Sequence, residues 1–133
     1  MPTSDPGIAN RPPDGTKLPP YVLITPARNE AAFIEQTILS VVGQTVLPVR
    51  WTIVSDGSED GTDEIVARYA GIYPWIELIR MPARSERHFG GKVLAFQAGY
   101  QKMRGLCYDV LGSLDADIAF DSAYFDFLLK KFA

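Results

Sequence analysis

The tetrapeptide Leu114-Asp115-Ala116-Asp117 ends a short apolar run, Val110 to Leu114, in two carboxylates one residue apart. Hard oxygen ligands at the carboxyl end of a strand suit a divalent cation that keeps several waters and is completed by phosphate oxygens. The two acids point in opposite directions if the strand continues, and only a turn at Ala116 lets them serve one ligand shell; the alternative is a polar strand end that caps the next helix. Asp56, before Gly57 and Ser58 at the end of another apolar run, could accept from the N–H of a base or from a ribose hydroxyl, or could close an Asx turn on its own backbone. Lys92 opens a helical pattern and could face a phosphate or a base, or simply lie in solvent. Arg84, Arg87 and His88 lie in a stretch rich in Pro and Gly and could close over a diphosphate, and with a single histidine in the chain a histidine metal pair is not available.

Other chemistries find no footing. No G-x-G-x-x-G follows the first apolar run, no G-x-x-x-x-G-K-[ST] occurs, and no G-x-S-x-G elbow is present, which disfavours conventional dinucleotide, P-loop and serine hydrolase sites. Cys107 is the only cysteine, so an internal disulfide is excluded and burial as a small apolar group is expected.

The elements that must position these residues follow from the apolar pattern. Tyr21 to Thr25 reads as a first strand stopped by Pro26, and Asn29 as the N-cap of a helix from Glu30 to Val42, whose Ile34, Ile38, Val41 and Val42 share one face. Trp51 to Ser55 is a second strand cut off by Asp56-Gly57. Ser58 to Glu64 supplies capping residues and acids for a second helix that ends near Gly71. Trp75 to Ile79 is a third strand, Met81 to Gly91 a loop, and Lys92 to Arg104 a third helix thinned on one side by Ala95, Ala98 and Gly99. The fourth strand is Val110 to Leu114, buried in the sheet. Asp121 caps a last helix toward Lys131, with Phe120 and Phe125 at the spacing of a hydrophobic staple.

Alternating strands and helices imply an α/β fold: a Rossmann-like, mostly parallel four-stranded sheet with right-handed crossovers and helices on both faces. In such a sheet the loops Pro26 to Glu30, Asp56 to Ser58 and Asp115 to Asp117 open on one edge and meet in a crevice. Residues 1–20, with six prolines, read as a flexible leader, leaving 21–133 as one domain. A net charge of -3 offers no basic surface for nucleic acid. With neither a membrane span nor a signal peptide in the sequence, a cytoplasmic location is expected.

Four segments in order, Val22 to Glu30, Val54 to Thr62, Gly91 to Gly99 and Leu114 to Asp117, resemble the family 2 glycosyltransferases of GT-A fold, and the resemblance runs from about Tyr21 to the end of the chain. It implies that Pro26, Ala27, Arg28, Asn29 and Glu30 form the loop that holds the base and ribose of a nucleotide-sugar donor. It further implies that Asp56 contacts the uracil side, that Lys92 lies near the same base, and that the DxD pair places Asp115 by the ribose and Asp117 on a divalent metal, Mn²⁺ or Mg²⁺. Two positions depart from the family pattern: Ser55 stands where an acid is frequent, and Gln97 where asparagine is frequent.

The expected activity is transfer of a sugar from a UDP-linked donor, less readily a GDP- or dTDP-linked one, to an acceptor hydroxyl with inversion; the full-length enzyme could work at a membrane face. Sixteen residues, ending at Ala133, follow Asp117, and the family's acceptor site and catalytic base lie well beyond the metal motif. The resemblance therefore implies a general base beyond Ala133 and no catalytic base within the chain. The 133 residues are expected to be the donor-binding part, inactive alone and prone to self-association. The competing expectation is a non-catalytic module that holds a nucleotide sugar or a protein partner. A sugar nucleotidyltransferase is disfavoured, because no glycine-rich basic loop follows Thr25.

Overall fold

The computed structural model describes residues 17–82 and 89–132. Strands β1 (Tyr21–Ala27), β2 (Arg50–Asp56), β3 (Ile76–Met81) and β4 (Val110–Ser113) alternate with helices α1 (Ile34–Val42), α2 (Thr62–Ile72), α3 (Phe89–Gln101) and α4 (Tyr124–Leu129). The strands form one sheet in the order β3-β2-β1-β4, and every pair is parallel. Two crossovers step outward from β1 to β3, and the third returns to the other side of β1. The order therefore reverses between β1 and β4, and an open α/β sheet leaves its ligand crevice at the carboxyl ends of the strands at such a reversal.

The two-residue period of β1 divides the core. Tyr21, Leu23 and Ala27 join Trp51, Ile53, the α1 residues Ile34, Ile38 and Val41, Val66 of α2, and Phe125 and Leu129 of α4. Val22 and Ile24 face the other way, toward Met103 and Phe96. Helices thus cover both faces, as the pattern predicts. On the first face Tyr21 stacks on Phe125 with ring centroids 4.8 Å apart, and its hydroxyl donates to the Val46 carbonyl at 2.5 Å. Burial pushes the Tyr21 phenol far up, so this proton stays in place across the accessible pH range. Tyr21→Phe keeps the ring contact but strands a buried carbonyl; chemical denaturation should show a loss of about 1–3 kcal/mol.

Several expectations are corrected. Pro26 does not stop β1 but lies inside it, opposite Val54 of β2. The Tyr21 carbonyl accepts from Val49 and the Ile24 carbonyl from Leu114, so the even-numbered positions of β1 turn their polar groups toward β4. Because β4 ends at Ser113, opposite Ile24, proline at 26 removes no ladder hydrogen bond. The buried fourth strand is instead an edge: its residues are half-buried or exposed, and Leu114 beyond it is the buried one. Cys107 is exposed, because in the segment before β4 Leu106 and Tyr108 pack against the second core cluster and Cys107 alternates outward.

The first helix starts at Ile34, not Glu30, after a turn in which the Glu30 carbonyl accepts from Phe33 and Ile34; Asn29 does not cap it. Gly90 and Gly91 belong to α3 rather than to the preceding loop. Leu18, counted with the leader, is 2% exposed and part of the core. Residues 1–16, the segment 83–88 with Arg84, Arg87 and His88, and Ala133 lie outside the described residues. The last described elements before Ala133 are α4 and the turn after it, and α4 is packed into the core through Phe125 and Leu129.

Candidate functional site

A cleft of about 810 Å³ opens at the carboxyl ends of β1 and β4. Pro26, Ala27, Arg28 and Glu30 line it from the end of β1, Asp56 from the end of β2, and Lys92, Phe96 and Gln97 from α3. Ser113, Asp115, Ala116 and Asp117 close it on the β4 side. The three polar loops expected to converge therefore do so. Its volume lies within the range of small-molecule sites.

Each wall has a local cause. Residues 116 and 117 form a turn, the condition under which both acids can serve one shell: Ala116 is 4% exposed and packs into the core, while Asp115 and Asp117 on either side are exposed to the cleft. Asp56 is almost buried, and its Oδ2 lies 3.7 Å from Nη1 of Arg28, so an acceptor and a cation face the cleft together. Arg28 Nε has no hydrogen-bond partner among the described residues. Lys92 sits in the first turn of α3, where the amide-rich helix end adds to its positive charge.

Asn29 alone of the predicted site residues is absent from the cleft lining. It takes the left-handed conformation, φ 53°, which asparagine tolerates better than most residues. From there its backbone N–H donates to Ser58 Oγ at 3.1 Å and its Oδ1 accepts from the Glu59 N–H at 2.7 Å. Beside it the Glu30 N–H donates to Thr62 Oγ1 at 2.8 Å, and the Ala31 N–H to Asp60 at 3.1 Å. The loops after β1 and β2 are thus tied to each other. Desolvation works to raise the Asp60 carboxyl, but the hydrogen bonds from Thr62 and Ala31 outweigh it and hold the group below its usual range. The sequence shows Asp60 and Thr62 only as capping residues; their reach to the first loop has no local signature.

Glu30 is pushed the other way, up, first by burial and then by the charges of Asp117, Asp60 and Asp115, with Lys92 opposing. The acidic side of the cleft thus has a surplus of negative potential. Among the described residues no three acidic, histidine or cysteine side chains stand close enough to hold a metal by themselves. A cation here would draw on Asp115 and Asp117 and take its other oxygens from water and ligand, as Mg²⁺ does beside phosphates. It would also relieve the repulsion on Glu30, so the residues present fit such an ion.

Folded Glu30 holds its proton more tightly than the unfolded chain does, so it costs stability as pH rises above the ordinary glutamate range. Glu30→Gln should therefore raise the melting temperature of the metal-free protein at neutral pH and leave it unchanged near about pH 4. Thermal unfolding at the two pH values checks both the sign and the window.

The sequence model of Glycosyl transferase family 2 matches residues 22–133. The chain is 26% identical over 116 residues to a chondroitin synthase of Pasteurella multocida, covering 87% of this chain and 11% of that protein. Among solved structures it resembles mannosyltransferase PcManGT from Pyrobaculum calidifontis in complex with GDP-Man and Mn²⁺. That match has a TM-score of 0.60 and 24% identity, over 79% of this chain and 29% of the other. It also resembles glucosyl-3-phosphoglycerate synthase from Mycobacterium tuberculosis in complex with Mn²⁺, UDP and glucosyl-3-phosphoglycerate. There the TM-score is 0.59 and the identity 19%, over 99% of this chain and 45% of that one. The chain spans less than half the length of each of these proteins.

Proposed function

The chain belongs to glycosyl transferase family 2, and from that premise we propose that the cleft binds a nucleotide-sugar donor, UDP-linked by preference, for inverting transfer of the sugar to an acceptor hydroxyl. The observation that carries this reading is the meeting of Asp115 and Asp117 with Asp56, Arg28 and Lys92 around one cleft at the reversal of strand order. Acids for a cation and a ribose, an acceptor for a base N–H and cations for phosphate are what a nucleoside diphosphate needs.

In this reading Asp56, steadied by Arg28, accepts from the base, and Lys92 lies beside the same base. Pro26, Ala27 and Glu30 carry the loop around base and ribose, while Asn29 serves from behind by holding that loop to Ser58 and Glu59. Asp115 turns to the ribose, and Asp117 with its neighbour holds Mn²⁺ or Mg²⁺. When bound, the ion would neutralise the charge that grows on the diphosphate as the sugar leaves. The chain's coverage of only part of its relatives' length supports an acceptor site and a catalytic base outside these 133 residues, with the isolated chain inactive in transfer. Among the described residues no helix is long and apolar enough to cross a membrane.

Titration calorimetry with UDP, with and without Mn²⁺, tests the reading. Tighter binding with the ion is expected; equal affinity with and without it would remove the role given to Asp117. Asp56→Ala should weaken UDP in both conditions, because its contact is with the base.

A further inference from the structure

Between the end of β4 at Ser113 and the start of α4 at Tyr124 the chain is irregular, and its backbone polar groups must find partners outside a helix or sheet. Helix α1 and the turn after it supply them. Thr37 and Ser40 lie one turn apart on α1, beside the apolar stripe of Ile34, Ile38 and Val41, and Gln44 follows just past the helix end. Ser40 Oγ accepts from Phe120 N–H at 3.2 Å; Gln44 donates to the Asp121 carbonyl and accepts from Phe125 N–H at 2.9 Å.

Thr37 grips the chain nearest the paired acids. Its Oγ1 accepts from the Ile118 N–H at 3.0 Å and lies within reach of two carbonyls, Ile118 at 2.7 Å and Ala116 at 3.1 Å. The Ala116 carbonyl belongs to the peptide before Asp117, and the Ile118 N–H to the peptide after it. The Thr37 side chain, 0% exposed, therefore accepts from the peptide after Asp117, while its single proton goes to one carbonyl at a time, Ile118 at the shorter distance or Ala116 in the peptide before Asp117.

We propose that Thr37 is a positioning residue for Asp117: by accepting from the Ile118 N–H after that residue and lying within hydrogen-bond distance of the Ala116 carbonyl before it, Thr37 holds the turn, so that the carboxylate meets a metal–diphosphate without first having to be ordered. The proposal rests on the donor-site reading of Asp117. A side chain held in advance spares the binding step its ordering cost. Thr37 itself touches no ligand, since it does not line the cleft.

Thr37→Val keeps the volume and removes the hydroxyl. UDP affinity measured by calorimetry in Mn²⁺ should fall about tenfold, while affinity without metal stays unchanged, and Thr37→Ser should restore the wild-type value. Ser40→Ala loosens the same segment beyond Ile118, so it should lower the melting temperature without changing the response to Mn²⁺. If the valine chain does not fold, Thr37→Cys, whose thiol fills the site but bonds weakly, takes its place with the same expectation. Two results overturn the proposal and can be told apart. Wild-type binding indifferent to Mn²⁺ removes the reading of Asp117, and the proposal with it. Wild-type binding that needs Mn²⁺, with Thr37→Val keeping that need in full or Ser40→Ala losing it equally, removes the proposal alone.

Discussion

Asp117→Ala is expected to weaken UDP binding in Mn²⁺ by about a hundredfold, which corresponds to about 2.7 kcal/mol, and to leave binding without metal untouched. The size follows from what remains. Among the described residues no group of three acids, histidines or cysteines could hold a metal unaided, and the neighbouring Asp115 alone gives a hydrated divalent ion little beyond what water offers. The selectivity follows from geometry, since Asp56 and Arg28 line the cleft from β2 and β1, while Asp117 lies past β4. Asp117→Asn keeps the size and the turn but loses the charge, so it should behave like the alanine variant. A loss equal in the two conditions would instead mean that the turn had collapsed onto the nucleotide site. Calorimetry with and without Mn²⁺ separates these outcomes.

Gly99→Ala is expected to destabilise the whole domain by about 1–3 kcal/mol, although alanine is the better helix former by about 1 kcal/mol. A β-carbon at 99 would lie 2.6 Å from Cγ2 of Ile24 and 3.2 Å from Cγ2 of Val54. Both are branched side chains, fully buried on the central strands β1 and β2, and stiff about their first torsion. Neither can swing away, so α3 must lift from the sheet. Lifting α3 also shifts Lys92, Phe96 and Gln97 on the cleft wall. Ile24→Leu removes the offending methyl while keeping the volume, so the double variant should recover part of the loss. Simple additivity of the two changes in denaturant unfolding would place the cost elsewhere.

Ala95, Ala98 and Gly99 already mark this close approach in the sequence, because small residues at helical spacing have few other uses on a buried face. The succession of elements was legible for a similar reason. The strands are short apolar runs, three of them closed by proline or acids, and the first helix carries a clear periodic face, so local composition goes far. The convergence of Asp56, Lys92 and the paired acids was legible too, since parallel strands joined by crossovers put all their carboxyl ends on one edge.

What one stretch of chain cannot contain is its partner. Whether Pro26 breaks a strand depends on where β4 ends, and whether Val110 to Ser113 is central or an edge depends on what lies beside it. Cys107 is outside because its neighbours on either side claim the core. Asn29 reads as a cap, but the tertiary fold presents Ser58 and Glu59 to it, so it braces two loops and leaves the cleft to others. Nothing local to the sequence singles out Thr37, and only the return of residues 116–118 makes it a brace.

Residue types and spacing, then, determined the α/β class, the edge where the cleft opens and the acids gathered there, because these follow from short-range patterns and from the handedness of crossovers. Tertiary structure alone decided which polar groups, Asn29 and Thr37 among them, hold the loops behind the cleft. A hydrogen bond or an ion pair between residues dozens of positions apart depends on distances that exist only after the chain has folded.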